Sequence, residues 1–488
     1  MTFEINKTSY EYSNASERSY DFCICGAGAA GITLALELAN KGYIIALFEG
    51  GDKEYSQQSQ DIYAGEVTDT NPYWLDLFRL RFLGGTTNHW AGRCRPFVKF
   101  DFEDKIINGL PGWPISFDEI NQFLPKAIEV LELEKDNTFK PAEGTKINSE
   151  NFIPDIYASS NVKFRDKFLN ELNKHSNIDL FVNANLVDIR LKNDFKTVDS
   201  ITIQNYRNHQ QGFSARKFII AMGAIENARI LLNSNSQIAE GIGNQTRMVG
   251  KCFMEHFNIR LGEFVSNKAE WGEIEAMQFM TSPNFAKEMN TGLSNITFGT
   301  VSQIKTYGRT AELKALFNKL SCKFGLSESL QFLYRHDCIG EGIISTLFEQ
   351  FPNKKSQLSL IDEKDNLGLN RLKLNWELSE ADEHSIRTTA IAIAEDFANS
   401  NLGRVKLNSF ITNHDEKIEI SHHSHQMGTT RMSSSKQYGV VDENCRVHDT
   451  ENLYVAGSSV FATGGGGNPT MPLLQLTYRL ADHLTSFE

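Results

Sequence analysis

The sequence predicts an α/β (α+β) fold, in which a Rossmann-like domain is built from discontinuous segments and a sheet-and-helix domain is inserted between them. Residues 20–49 follow the order strand, glycine-rich turn, helix and second strand, which is a βαβ unit. Residues 217–232 and 453–484 each add a strand signal followed by a helical pattern. Residues 257–412 interrupt this order with strand-like runs and one clear helix, predicted over 380–399. Two further strand-like runs are predicted at residues 178–191 and 440–442.

The first glycine-rich turn has the spacing of a dinucleotide-binding fingerprint. Gly26 permits the tight turn, Gly28 lets the backbone approach a pyrophosphate, and Gly31 lets the helix pack against the strand, with Ala29 inside the same turn. Glu49 ends the second strand, about 20 residues on, where an acidic residue binds ribose hydroxyls. An acid at that point repels a 2′-phosphate, so FAD or NAD fits and NADP does not. These residues do not separate FAD from NAD.

A glycine run near the C-terminus, residues 464–467, indicates the approach of a flat group, because it removes side chains. Asn468 ends the run, and Pro469 and Thr470 open a helix predicted over 471–484, whose positive end points back at the run. His425 precedes the sequence Gln-Met-Gly-Thr-Thr-Arg-Met. A glycine run, a helix N-terminus and a histidine together suit a flavin that receives hydride from an alcohol.

A second glycine-rich stretch, residues 83–92, combines backbone N–H groups with side-chain donors that can meet a polar ring edge. The alternative is a structured turn with a buried Trp and a hydrogen-bonded His. The candidate cofactor-binding residues in this stretch are Gly84, Gly85, Thr86, Asn88, His89, Trp90 and Ala91.

Composition excludes several classes of protein. The 488 residues carry a formal charge of −12 and a pI near 5.6, which disfavours nucleic acid and anionic lipid as partners. No apolar run approaches the ~20 residues of a membrane span, and the N-terminus has no signal-peptide pattern. The seven cysteines lack paired spacing. We therefore expect a reduced, cytoplasmic protein with a small-molecule substrate.

Several motifs together resemble those of the glucose–methanol–choline (GMC) oxidoreductases, in the right order over nearly the whole chain. Besides the fingerprint they are Gly84-Gly-Thr-Thr-Asn-His-Trp, Ala221-Met-Gly-Ala-Ile-Glu-Asn-Ala-Arg, Val249-Gly-Lys-Cys-Phe-Met-Glu-His, the His425 motif, and Asn452-Leu-Tyr-Val-Ala-Gly-Ser-Ser with Asn468-Pro-Thr. Residues 257–348 match little. Segments that begin at Phe351 and Leu367 are similar to the branch of pyranose oxidases and bacterial sugar or aminoglycoside dehydrogenases.

The resemblance implies FAD, an alcohol donor and a two-domain fold like that of p-hydroxybenzoate hydroxylase. Residues 1–95, 160–255 and 426–488 would form the FAD-binding domain, and residues 96–159 and 256–425 the substrate-binding domain and cap segments. By the same resemblance, Leu186 and Ala221 would lie near the adenine, and Gly457 and Ser458 near the ribityl chain.

His89 falls where pyranose and choline oxidases have a histidine covalently joined to the flavin 8-methyl group. Other relatives hold FAD noncovalently. Both alternatives stay open for His89: a covalent bond, which would raise the flavin potential, or a contact beside the ring.

Oxidation of a CH–OH group of a sugar-like or polyol substrate requires loss of a hydroxyl proton and a carbinol hydride. By the resemblance, His425 accepts the proton and Asn468 orients the oxygen while hydride goes to flavin N5. A histidine suits the first task because its ordinary pKa of about 6.5 leaves it largely neutral at pH 7. One alternative is a flavin-containing lyase of the same fold with non-redox FAD; a more distant one is a noncatalytic nucleotide-binding scaffold.

A metal site is the competing interpretation of the histidine cluster His422, His423 and His425. On a strand, Glu419 would lie roughly 13 Å from His423, too far to share one ion. A metal also leaves the Gly-Thr-Thr-Arg-Met continuation unexplained, so we predict no metal. His256 is predicted to be structural and to tie the two domains together. The sequence leaves the electron acceptor, oxidase or dehydrogenase chemistry and the oligomeric state open.

Overall fold

The structure is a computed structural model, and it describes residues 18–68, 73–134, 139, 147, 149–266, 276–300 and 340–486. Residues 1–17 and 487–488, which the predicted FAD-binding domain includes, lie outside the described residues. Every predicted site residue lies within them.

The strands of the described residues are numbered in chain order. They are β1 (Tyr20–Cys25), β2 (Ile45–Phe48), β3 (Glu66–Val67), β4 (Arg93–Cys94), β5 (Ile106–Ile107), β6 (Leu110–Pro111), β7 (Phe152–Pro154), β8 (Ala158–Ser159), β9 (Ile178–Phe181), β10 (Asn185–Leu191), β11 (Val198–Gln204), β12 (Gln210–Phe213), β13 (Ala215–Ile220), β14 (His256–Ser266), β15 (Ala276–Thr281), β16 (Ser294–Thr300), β17 (Gly340–Glu349), β18 (Gln357–Lys364), β19 (Asn370–Asn375), β20 (Gly403–Leu407), β21 (Ser421–His422) and β22 (Leu453–Val455).

The α-helices of the same residues are numbered likewise. They are α1 (Ala29–Asn40), α2 (Gln57–Gln60), α3 (Phe117–Asn121), α4 (Leu124–Val130), α5 (Phe164–Lys174), α6 (Ala224–Asn233), α7 (Pro283–Glu288), α8 (Glu380–Asn399), α9 (Ser409–Thr412) and α10 (Thr470–Thr485).

A parallel sheet forms the first layer of the fold, with the strand order β22-β13-β1-β2-β9 among the described residues. Each neighbouring pair is parallel. Their almost fully buried apolar residues suit a sheet covered on both faces. These strands come from well-separated parts of the chain, and the predicted α/β class is confirmed. The exact domain boundaries stay a prediction.

The fingerprint glycines fix the turn from β1 into α1. Gly26 has a φ of +105°, and a Cβ there would overlap the carbonyl of Ala221, which directly follows the neighbouring strand β13. A Cβ on Gly31 would overlap the carbonyl oxygen of Gly26, so a side chain there would push α1 off β1. Both glycines are therefore required by backbone geometry.

An antiparallel sheet forms the second layer, with the order β20-β14-β17-β16-β15-β7 and with β21 paired to β14. Alternation gives it two unlike faces. Its inner face is buried and apolar: Phe257, Ile259, Phe279, Ile296, Phe298, Ile344 and Phe348. Its other face carries polar residues at the alternate positions: Asn258, Gln278, Asn295, Thr297 and Ser345.

The long helix predicted over 380–399 is confirmed as α8. Its N-cap residue is Ser379, whose hydroxyl accepts the N–H of Asp382, while the Asp382 carboxylate accepts the N–H of Ser379.

One strand prediction is too long, and another is wrong. The run at 178–191 is broken at residues 182–184 into β9 and β10, which belong to different sheets. Residues 440–442 form only isolated bridges, through Val441. In both places the apolar pattern marks burial rather than a continuous strand. Across the described ranges, the helices lack the combination of length and hydrophobicity that crossing a bilayer requires.

Candidate active site

A cavity of about 630 Å³ runs from the carboxyl ends of the parallel strands to the polar face of the antiparallel sheet. Ligands of doubly wound sheets bind at the same strand ends, and this volume is typical of a cofactor or ligand site. Of the predicted site residues, these line it: Gly26, Gly28, Ala29, Glu49, Gly85, Thr86, His89, Trp90, Ala91, Leu186, Ala221, His425, Gly457, Ser458, Asn468, Pro469 and Thr470.

Gly31, Gly84 and Asn88 are not among the lining residues. Gly31 packs helix α1 against strand β1. The Gly84 N–H donates to the Ala27 carbonyl at 2.8 Å, and Asn88 Nδ2 donates to the Leu83 carbonyl at 2.9 Å. The first hydrogen bond joins the second glycine-rich stretch to the first, and the other one holds the second stretch in its own turn.

The first turn leaves room for a pyrophosphate. A Cβ on Gly28 would meet nothing within 4 Å, although Gly28 lies at the N-terminus of α1 and lines the cavity. Gly28 makes no side-chain cap, so the free N–H groups of α1 face this space. A helix N-terminus with free N–H groups binds phosphate oxygens. The residues present therefore fit a dinucleotide.

Glu49 holds the same turn in place from the next strand. Its carboxylate accepts the N–H of Ala27 at 3.0 Å and the N–H of Gly51 at 2.9 Å. Each carboxylate oxygen can accept a further hydrogen bond, so Glu49 is able to receive ribose hydroxyls as well.

Sequence reasoning missed the arginine at this end of the cavity. Arg81 donates to Asn185 Oδ1 at 2.8 Å and to the Tyr206 hydroxyl at 2.7 Å, and it lies against Gly50. It carries no motif, and the fold brings it there from outside the βαβ unit.

The second glycine-rich stretch forms a 3₁₀ turn over Gly85–Asn88 and then places His89 and Trp90 in the cavity wall. The Trp90 indole donates to the Val162 carbonyl at 2.8 Å. Burial lowers the pKa of His89, and its hydrogen bond to the Phe78 backbone opposes this effect. His89 is therefore a largely neutral imidazole beside the cavity at neutral pH.

The other end of the cavity brings together the two residues predicted to be catalytic. Asn468 Nδ2 lies 3.0 Å from His425 Nε2, although the residues are 43 positions apart in the chain. Helix α10 begins at Thr470 without a side-chain cap, so its free N–H groups lie beside this pair.

A chain of hydrogen bonds determines which nitrogen of His425 carries a proton. His256 Nε2 lies 2.6 Å from the Gly465 carbonyl, which can only accept, so this nitrogen is protonated. The neutral ring of His256 then accepts at Nδ1, which lies 3.0 Å from His425 Nδ1. His425 must donate from Nδ1, and its Nε2 is left with a lone pair beside Asn468.

Both rings of this chain are neutral at physiological pH. Burial lowers the pKa of His256 to about 4. Burial, with His256 and His423 nearby, holds the pKa of His425 well below its ordinary value. His256 was predicted to be structural; its hydrogen bond to His425 was missed because the two residues are 169 positions apart.

Glu255 supports the backbone of His425 from below. Its carboxylate, fully buried, accepts the His425 N–H at 2.7 Å and the Tyr73 hydroxyl at 2.8 Å. Burial raises the pKa of Glu255 to about 8 despite these hydrogen bonds. The tyrosine also accepts from Gln426 Nε2 at 2.6 Å, so both neighbours in the motif are fixed.

The histidine cluster does not have the geometry of a metal site. The ring of His423 stacks on that of His425 at 5.8 Å between centroids, and both nitrogens of His425 have hydrogen-bond partners. Within the part of the chain that the structure describes, no group of three or more His, Cys, Asp or Glu side chains could hold an ion.

The C-terminal part of the site matches a known family. The family model described as GMC oxidoreductase matches residues 352–477, which include His425 and Asn468. The chain is also 22% identical to the 6‴-hydroxyparomomycin C oxidase of Streptomyces lividus, over 96% of this chain and 93% of that protein.

Residues 352–477 are therefore similar to the GMC oxidoreductases. Another relative is the fructose dehydrogenase large subunit of Gluconobacter japonicus, 25% identical over 55% of this chain but only 47% of the subunit's length. The paromamine 6′-oxidase of Streptomyces fradiae is 24% identical over 53% of this chain and 43% of its own length. The chain thus matches only about half the length of these two relatives.

Solved structures show the same fold over almost the whole chain. The pyridoxine 4-oxidase from Mesorbium loti superposes with a TM-score of 0.59 at 15% identity, covering 95% of this chain and 99% of that one. A formate oxidase variant from Aspergillus oryzae RIB40, studied for its FAD modification, gives 0.57 at 16% identity, covering 96% and 98%.

Proposed function

We propose that this protein is a GMC oxidoreductase that binds FAD and oxidises a CH–OH group of a sugar-like or polyol substrate to a carbonyl. The observation that supports this most directly is the unprotonated Nε2 of His425, held 3.0 Å from the Asn468 amide at one end of the cavity. A neutral imidazole and an amide side by side can accept a hydroxyl proton and donate to the oxygen that loses it.

Each residue has a separate task in this proposal. The FAD supplies the hydride acceptor, at flavin N5, when it is bound. His425 Nε2 accepts the hydroxyl proton, and Asn468 Nδ2 turns from the imidazole to the substrate oxygen. His256 keeps the proton of His425 on Nδ1, so that Nε2 stays a base. The N-terminus of α10 favours negative charge at this end by about 0.3–1 kcal/mol.

The remaining cofactor-binding assignments belong to the same proposal. Gly26, Gly28 and Ala29 would meet the pyrophosphate, Glu49 the ribose, Leu186 and Ala221 the adenine, and Gly457 and Ser458 the ribityl chain. All of these residues line the one cavity, which supports the assignment.

Acid precipitation decides between the two alternatives for His89. Yellow colour that stays in the washed pellet shows a covalent flavin, whereas colour released to the supernatant excludes the bond. A His89→Ala variant that still retains colour in the pellet would assign the bond to another residue.

The location is proposed to be the cytoplasm, as the sequence suggests. In support, the cysteines that the structure describes as free thiols are all buried: Cys23, Cys25, Cys94, Cys252 and Cys445.

The test of the function is reduction of the bound FAD by a substrate without oxygen. Sugars, polyols, sugar acids and simple alcohols are added anaerobically to the holoenzyme, and the loss of flavin absorbance is followed. We expect at least one polyhydroxylated compound to bleach the flavin, and His425→Ala to slow the bleaching by roughly 10²–10⁴-fold with unchanged FAD content. Bleaching by dithionite alone, with no response to any alcohol, would refute the oxidation; undiminished bleaching in His425→Ala would refute the base.

A further inference from the structure

A second, smaller cavity opens beside the catalytic pair. It measures about 80 Å³ and shares Asn468 and His423 with the large cavity. Its floor is the polar face of the antiparallel sheet, with Asn258, Asn295, Thr297 and Ser345 in its lining. Arg93, from β4, lines both cavities. A substrate that reaches His425 therefore has room to extend into this subsite.

The guanidinium of Arg93 is fixed in position but retains free donors. It stacks over the Tyr157 ring at 3.9 Å, and its Nη2 donates to Gln278 Oε1 at 2.6 Å. Its Nε and Nη1 have no hydrogen-bond partner among the described residues. A stacked and oriented guanidinium with free N–H groups is the arrangement that binds a planar carboxylate.

The charges in this lining leave one positive charge unbalanced. Arg93 and Arg95 are the cations, and Asp155 is the carboxylate. Asp155 is already committed, because it accepts from Arg95 Nη1 at 3.4 Å and from Asn295 Nδ2. It lies farther, 3.7 Å, from Arg93. Enclosure in the protein lowers the pKa of His423 to about 4, so this ring adds no charge at neutral pH.

The other polar groups of the subsite suit hydroxyls. The side chains of Asn258, Thr297 and Ser345 have no hydrogen-bond partner among the described residues, and each is only half-buried. Amide and hydroxyl groups both donate and accept, as carbohydrate hydroxyls do. An unpaired ammonium group, by contrast, would face the like charge of Arg93.

We infer that this protein binds a monoanionic polyhydroxy acid, with the carboxylate on Arg93 and a CH–OH group at His425 and Asn468. The oxidation of this acid rests on the proposed function, whereas its binding is inferred from the residues of the subsite alone. A phosphate dianion fits less well, because only one positive charge is unbalanced and Asp155 is close.

The experiment measures ligand binding to the FAD-loaded enzyme. The signal is the change in flavin absorbance, which a ligand causes either by perturbing the flavin spectrum or by bleaching the flavin. D-Gluconate, the neutral D-glucitol and the cationic D-glucosamine are titrated separately. We expect D-gluconate to have an apparent Kd at least 10-fold below that of D-glucitol, with D-glucosamine the weakest. Arg93→Gln should abolish the preference by weakening D-gluconate at least 10-fold more than D-glucitol, and Arg93→Lys should keep part of the preference. Arg260→Gln, an exposed arginine on β14, is the matched control and should change nothing.

Several results would overturn the inference. One is the absence of any response to D-gluconate. Another is that D-glucitol or D-glucosamine binds as tightly as D-gluconate. An unchanged preference for D-gluconate in Arg93→Gln, or displacement of D-gluconate by inorganic phosphate at equal concentration, would overturn it as well. Failure of the proposed function looks different. In that case D-gluconate would still perturb the flavin spectrum in an Arg93-dependent way, but no CH–OH compound would bleach it.

Discussion

The Nδ1 atoms of His256 and His425 lie 3.0 Å apart, so one of these rings must donate its proton to the other. The Gly465 carbonyl settles the direction, because it can only accept from His256 Nε2. A backbone carbonyl thus determines, through two imidazole rings, that the nitrogen facing Asn468 is unprotonated. The consequence is a base that needs no ionised partner in the low-dielectric interior.

We predict that His256→Ala lowers kcat by roughly 10–100-fold, because His425 can then carry its proton on Nε2. FAD content and thermal stability of the holoenzyme serve as controls for folding. His256→Gln should restore part of the activity, since its amide can accept from His425 and donate to Gly465. Equal activity in His256→Ala and the wild type would contradict the tautomer argument.

We predict that Asn468→Asp moves the acid limb of the kcat/KM profile to higher pH, by about 1 unit or more. The wild-type pKa of His425 is lowered by burial, so His425 stays a base well below pH 6.5. A carboxylate at position 468 would favour the imidazolium and raise that pKa, so the base would be lost at a higher pH. Asn468→Ala, which adds no charge, should lower kcat but leave the limb in place. The measurement is kcat/KM from pH 5 to pH 9 for all three proteins.

We predict opposite failures for alanine at two fingerprint glycines. Gly28→Ala should fold normally and bind FAD at least about 10-fold more weakly, because its methyl group would occupy the open space where a phosphate approaches. Gly31→Ala should lower the stability of the apoprotein itself, because its methyl group would overlap the Gly26 carbonyl. Melting of the apoproteins and FAD titration separate the two effects. A stable Gly31→Ala protein with normal FAD affinity would refute the packing role.

We predict that Glu255→Gln changes how stability depends on pH. The pKa of Glu255 is raised in the folded state to about 8, from an ordinary value of 4.5. The folded state therefore binds the proton more tightly, and Glu255 contributes stability below about pH 4.5 that is lost progressively as pH rises through 8. Glu255→Gln lacks this loss, so its stability relative to the wild type should rise between pH 5 and pH 8. Denaturant unfolding at several pH values checks this, and parallel pH dependences for both proteins would contradict it.

Much of the nucleotide half could be predicted because its signals are local. The turn glycines, the helix α1 that follows them and the acid after β2 lie within one βαβ unit. Hydrogen bonds and close backbone contacts within that unit constrain the glycines and the acid. The helix at 380–399 was predictable for the same reason, since its capping box is encoded three residues apart.

The sequence by itself determined the fold class, the fingerprint and the identities of His425 and Asn468 as a candidate pair. Tertiary structure decided what surrounds them. The pairing of Phe257 with His422, between β14 and β21, brings His256 to His425 across 169 positions of chain. The same antiparallel sheet presents its polar face, and strand β4 presents Arg93, to the small cavity that Asn468 also lines. These contacts depend on strand register between distant segments, and the pattern of neighbouring residues carries no record of that register.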